Sequence, residues 1–103
     1  MTFRYVITDD AYTDLEDMED YVRSYADDAF VESLEDEFFE AFDKLTREAL
    51  QHPVYQFEPP VRLLREYRSV NVYHYKIFYY LRGEDVVIYR ICHLVSDFTR
   101  RGW

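Results

Sequence analysis

The stretch Val70-Asn71-Val72-Tyr73-His74-Tyr75-Lys76-Ile77-Phe78-Tyr79-Tyr80-Leu81, followed by Arg82-Gly83-Glu84-Asp85 and then Val86-Val87-Ile88-Tyr89-Arg90-Ile91-Cys92-His93-Leu94, decides the fold. Both arms are dense in Val, Ile, Tyr and Phe, which fit a pleated, half-buried surface. The polar loop between them holds one of two glycines in the chain, so the stretch reads as a long β-hairpin. Side chains alternate along a strand, so Tyr75, Ile77, Tyr79 and Leu81 share one side, and His74, Lys76, Phe78 and Tyr80 the other. A loop with an even number of residues sets Lys76 opposite Ile91 and His74 opposite His93. Cys92 then joins the Tyr75 face, and His74, Lys76 and His93 share the opposite one. An odd loop moves His93 across, because a one-residue slip reverses every side chain. The even loop is the expectation adopted.

The rest of the chain must pack on this hairpin. Thr2–Thr8 is aromatic and β-branched and reads as a strand. Thr8-Asp9-Asp10 offers an N-cap, and Leu15, Met18, Val22 and Tyr25 recur at helical spacing over about residues 10–25. Asp27-Asp28 caps a second helix with the apolar stripe Val31, Leu34, Phe38, Ala41, Phe42 and Leu45. The short link implies an antiparallel helical hairpin. Pro53 ends the second helix by about Gln51. Val61–Arg68 reads as a further strand with basic residues on it, and Ser96–Trp103 as a polar tail. The expected fold is α+β, in the order β-α-α-β-β-β, a mainly antiparallel sheet with both helices on one face, in a single domain over residues 1–103.

Composition limits the function. Hydrophobic residues make up 49% of 103, enough to bury one core. Cys92 stands alone, which excludes an internal disulfide and suits a reducing compartment. The first residues lack a secretory pattern, and no apolar run approaches the ~18 residues of a membrane span, so a cytoplasmic protein with no membrane partner is expected. The net charge of −9 argues against nonspecific nucleic-acid binding. It is uneven: residues 1–60 hold 4 Lys+Arg against 17 Asp+Glu, and residues 61–103 hold 8 against 4. An acidic first half and a basic second half suggest a two-sided molecule. His52, His74 and His93 lack zinc-ligand spacing, and no glycine-rich phosphate loop is present, so no metal or cofactor is expected.

Several segments taken in order resemble the RelE/ParE superfamily of toxins from bacterial type II toxin–antitoxin pairs. Ala11, Asp14-Leu15, Met18 and Tyr21-Val22 are similar to that family's A-x-x-D-L-x-x-I-x-x-Y-I run. Leu45 and His52-Pro53 match its Leu-then-Pro pattern, and Arg65-Glu66-Tyr67-Arg68-Ser69 resembles its R-E-L-R-S strand. Tyr75-Lys76-Ile77-Phe78-Tyr79 resembles Y-R-I-F-Y, Ile88–His93 resembles the last strand, and Asp97-Phe98 stands where an Asp and an aromatic follow it. The resemblance implies a toxin neutralised by a cognate antitoxin, as a hetero-oligomer or a homodimer. It implies one of two mechanisms, ParE-like binding of DNA gyrase or RelE-like cleavage of mRNA on the ribosome. An orphan interaction module is the third possibility, since fold does not choose function.

As a ribonuclease, the chain would use Lys76 where relatives place a catalytic Arg, Arg65 and Arg68 for phosphate, and His93 for proton transfer. The plain alternatives are a solvated strand lysine and a strand-end histidine bonded to backbone. Val95 and Ser96 replace the arginines common after His93, neither Phe98 nor Trp103 supplies the tyrosine some relatives carry, and Lys76 lacks the bidentate fork of Arg. These departures rank target binding first, with Arg68, Arg90, Arg100, Arg101 and Trp103 as candidate contacts and the tail as the anchor.

Overall fold

The computed structural model describes residues 2–57, 60, 63–95 and 103. Strand β1 (Arg4–Ile7) leads directly into helix α1 (Asp9–Arg23). Thr8 makes that corner. Its Oγ1 accepts from the Ala11 amide at 3.1 Å and donates to the Tyr89 carbonyl at 2.9 Å, so one hydroxyl caps the helix and ties it to the far end of the chain. Helix α2 (Asp28–Glu48) is capped by Asp27, whose Oδ1 accepts from the Phe30 amide at 2.9 Å, and it tightens into one 3-10 turn at Ala49–Gln51 before Pro53. Strands β2 (Arg68–Val72), β3 (Tyr75–Arg82) and β4 (Asp85–His93) complete the expected element order.

The sheet order is β1-β4-β3-β2. The β4-β3-β2 part is antiparallel, and β1 lies parallel to β4 with Arg4 opposite Asp85. Ala11, Leu15, Met18 and Val22 of α1, with Val31, Leu34, Phe38, Phe42 and Leu45 of α2, pack on Tyr75, Ile77, Tyr79, Val86, Ile88 and Ile91. Both helices therefore cover one face, as the apolar stripes require. Each such side chain contributes roughly 1.5–3 kcal/mol by leaving water.

Three expectations about strands change. The first hairpin arm is two strands, because a two-residue turn at Tyr73-His74 sets Val72 opposite Tyr75. Tyr73 makes that turn at φ 56°, a conformation for which Gly or Asn is the usual signal, so aromatic density concealed it. Of the strand expected over Val61–Arg68, residues 61 and 62 lie outside the described residues, and among the others only Arg68 is in a strand; Leu64 and Arg65 form a bend, and Val54 makes an isolated bridge to Arg68. The third change is a β-bulge in β4. The loop Gly83-Glu84 has the expected even length, with Arg82 opposite Asp85, but the register jumps between Tyr79 opposite Ile88 and Phe78 opposite Arg90. Tyr89 is the extra residue. Beyond it Lys76 faces Cys92 instead of Ile91, and His93 faces Tyr75.

Asp14 of α1 holds the bulge in place. Its carboxylate accepts from Arg90 Nε at 2.7 Å, from Arg90 Nη2 at 2.9 Å and from the Ile91 amide at 2.9 Å. This ion pair is mostly buried, so each partner depends on the other to offset its lost hydration. Asp14→Ala is expected to cost about 3–5 kcal/mol in chemical denaturation, because it strands the guanidinium. The double variant Asp14→Ala, Arg90→Met is expected to recover part of that loss.

The helices meet at a second polar contact of opposite character. Glu19 of α1 is raised to about 7, first by partial burial and then by its hydrogen bond to Glu35 of α2. Below its ordinary value of 4.5 the carboxyl is neutral in both the folded and unfolded states. Between there and about 7 the unfolded chain ionises first, so this contribution to stability is lost as pH rises. Glu19→Gln is expected to flatten the stability profile between pH 5 and pH 8, by about 1 kcal/mol once solvent screening of a partly exposed pair is allowed for.

Candidate functional site

The face of the sheet away from the helices is where a ribonuclease of this topology needs an open basic surface. Among the described residues it carries an aromatic layer instead. Phe57, Tyr67, Phe78, Cys92 and Trp103 are buried together, flanked by Tyr55, Leu63, Tyr80 and Tyr89. The Trp103 ring lies 4.7 Å from Phe78, 4.8 Å from Phe57, 5.0 Å from Tyr67 and 5.9 Å from Tyr89, centroid to centroid. Its carbonyl accepts from the Tyr67 hydroxyl at 3.3 Å. Burial raises the Tyr67 hydroxyl to about 12, so it stays a neutral donor. Trp103, expected as an exposed anchor, is therefore a core residue. Cys92, expected beside Tyr75, lies in this second cluster because of the bulge.

The candidate catalytic groups do not converge. Lys76 is on the aromatic side, half-buried, with Nζ donating to Asn71 Oδ1 at 2.9 Å and 5.3 Å from the centre of the Tyr55 ring. Burial lowers its pKa. Arg65 lies 4.3 Å over the Tyr80 ring. Arg68 donates through Nη1 to the His52 carbonyl. His93, opposite Tyr75, is directed to the other side, where its ring meets Tyr75 at 5.0 Å and Tyr21 at 6.3 Å. Its Nδ1 accepts from the Val95 amide at 3.3 Å, which is the backbone-bonded strand-end histidine of the plain alternative. Arg90, a candidate target contact, is committed to Asp14. Arg100 and Arg101 lie outside the described residues. Among the described residues no group of three or more His, Cys, Asp or Glu could hold a metal, and no helix is long and apolar enough to cross a membrane.

The match to known proteins covers most of the chain. Residues 5–97 match the family model described as the ParE toxin of the type II toxin–antitoxin system, parDE. The chain belongs to the ParE toxin family. A solved structure titled chromosomal ParDE TA system from P. aeruginosa shares the fold, with a TM-score of 0.72, 16% identity, and coverage of 89% of this chain and 96% of that one. No curated protein matches by sequence.

Among the described residues, two of the concave regions bear on recognition. One, of about 360 Å³, runs between α2 and β2 and is lined by Glu37, Glu40, Lys44, Glu48, His52 and residues 70–73, among others. The other, of about 240 Å³, is lined by Tyr21, Tyr25, Tyr73, His74, Tyr75 and His93. Sequence reasoning singled out none of these four tyrosines as a site. The available signal was Tyr21 and Tyr25 at helical i, i+4 spacing, with Tyr25 read as core.

The buried position of the chain's sole tryptophan is directly measurable. Native emission is expected to be blue-shifted and to move red on denaturation. Trp103→Ala is expected to cost about 3–5 kcal/mol, the usual range for a large aromatic removed from a core.

Proposed function

We propose that this ParE-family toxin acts by binding a protein target, with DNA gyrase as the candidate that the family resemblance offers, and that a cognate antitoxin neutralises it. The observation that carries this reading is the bulged register of β4. It sets Lys76 and His93 on opposite sides of the sheet, with the aromatic layer over the Lys76 side. Metal-free RNA cleavage needs a base at the 2′-hydroxyl, a cation at the phosphate and an acid at the leaving oxygen, all around one phosphodiester. The net charge of −9 adds to this, since a ribosome-bound nuclease must approach a dense field of phosphates. The acidic groove along α2, with Glu37, Glu40 and Glu48 beside β2, is suited to a basic antitoxin segment.

The test is induced expression with two readouts in parallel, covalent gyrase–DNA complexes and ribosome-dependent mRNA cuts. Gyrase complexes without new mRNA ends are expected. Lys76→Ala is expected to leave toxicity within a few-fold of the parent, whereas a general acid–base group would cost about 10²–10⁴-fold. Ribosome-dependent cuts that disappear in Lys76→Ala would replace this reading with the RelE-like one. Harmless expression, with no binding of the protein encoded beside it, would leave an interaction module.

A further inference from the structure

The tyrosine cavity at the end of the sheet is a feature that the proposed target chemistry does not use, and of its four tyrosines only Tyr75 belongs to the core. Its wall is one connected set of rings. Tyr21 of α1 and Tyr25 in the turn that follows it meet edge to face at 5.6 Å, and the Tyr25 and Tyr73 hydroxyls hydrogen-bond at 3.0 Å. Tyr73 leans on His74 at 4.1 Å and on Phe30 at 5.7 Å, and His93 stands between Tyr21 and Tyr75. Tyr21, Tyr25 and Tyr73 are 57%, 54% and 37% exposed, so the rings are open to a partner.

The Tyr73 backbone is a second, independent observation. A non-glycine residue at φ 56° in a two-residue hairpin turn is strained, and Gly would make the same turn at lower cost. The side chain at that position supplies the cavity with its third tyrosine.

The chemistry of the wall selects the occupant. Among the described residues, the lining contains no carboxylate, lysine or arginine. Hydrogen bonding to Tyr73 comes first among the causes that raise the Tyr25 hydroxyl to about 12, and burial raises Tyr75, so these phenols stay neutral. Neutral phenol faces are electron-rich and attract cations. Asp17, exposed one turn before Tyr21 on the same side of α1, brings negative charge to the approach. The nearest helix-end cation, Arg23, is already held by Asp20 and Asp28, each at 3.5 Å. The cavity, of about 240 Å³, has room for one side chain, and a further concavity of about 330 Å³ beside it shares Tyr21, Tyr75 and His93, leaving space for the partner backbone that carries that side chain. A nucleotide is a weaker candidate, because its phosphate would meet the acidic helices.

We propose that Tyr21, Tyr25, Tyr73 and Tyr75 form a cation-accepting cage that takes one arginine or lysine side chain of a protein partner. The cage does not depend on which target the toxin poisons, and its test uses small probes, so its failure and that of the functional reading are separable.

The test is an NMR titration of the full chain with N-acetyl-arginine amide, N-acetyl-lysine amide, the uncharged isostere N-acetyl-citrulline amide, and adenosine monophosphate. Saturable shifts with the two cations are expected at the rings of Tyr21, Tyr25, Tyr73, His74 and His93, with citrulline at least about three-fold weaker. Tyr73→Gly is expected to keep the folded spectrum elsewhere and to weaken arginine binding by about three-fold or more. Tyr21→Leu, which keeps apolar area on an exposed helix face, is expected to act likewise. Equal binding of citrulline, preference for the nucleotide, absence of saturable shifts, or unchanged binding in both variants would each overturn the proposal.

Discussion

The three hydrogen bonds that Asp14 accepts from Arg90 and the Ile91 amide govern more of this molecule than any other contact. A carboxylate on the first helix reaches the last strand and satisfies both the guanidinium and a backbone amide at the bulge. The Tyr89 carbonyl beside it accepts from Thr8, which also caps α1. The two contacts fix where the first helix sits and where the final strand changes register. A bulge adds a residue to one strand and reverses the facing of everything beyond it. That reversal moves His93 to the helix side and Cys92 to the far side.

The consequence is a sheet clothed on both faces. One face takes the helices and the other takes aromatic side chains from residues 55–67 and Trp103. The second layer accounts for much of the unusual aromatic content, eleven tyrosines and eight phenylalanines in 103 residues. Aromatic rings bury large areas per residue, so a short chain with few elements can close a second cluster. The cationic groups expected on that face are drawn into the layer: Arg65 over Tyr80 and Lys76 near Tyr55. A cation held over a ring is positioned for packing, and its stem contributes apolar contact. This is the physical ground on which the proposed target binding rests.

Charge and shape then divide the surface. The acidic helices border a groove beside the edge strand β2, while the tyrosine cavity closes the end of the sheet where α1, the Tyr73-His74 turn and His93 meet. These two concavities differ in kind. The first offers charge along a strand edge, and the second offers neutral rings with depth for one side chain.

The elements themselves were legible from local pattern. Helical stripes at Leu15, Met18 and Val22 and at Val31, Leu34, Phe38 and Leu45, with caps at Thr8 and Asp27, located both helices within a few residues. The β-branched and aromatic runs located the sheet, and the ordered set of motifs pointed to the family. These signals are local, because period and capping depend on neighbours in the chain. The candidate site was not legible in the same way. The turn at Tyr73 carries no turn residue, and Tyr89 carries no bulge signal, since both conformations are imposed by partners remote in sequence. The Asp14–Arg90 pair joins residues 76 positions apart, and its effect on register decides that Lys76 and His93 stand apart. Trp103 shows the same limit: at a polar terminus its sequence context predicts exposure, and only the hydrophobic cleft between Phe57, Tyr67 and Phe78 draws it into the core.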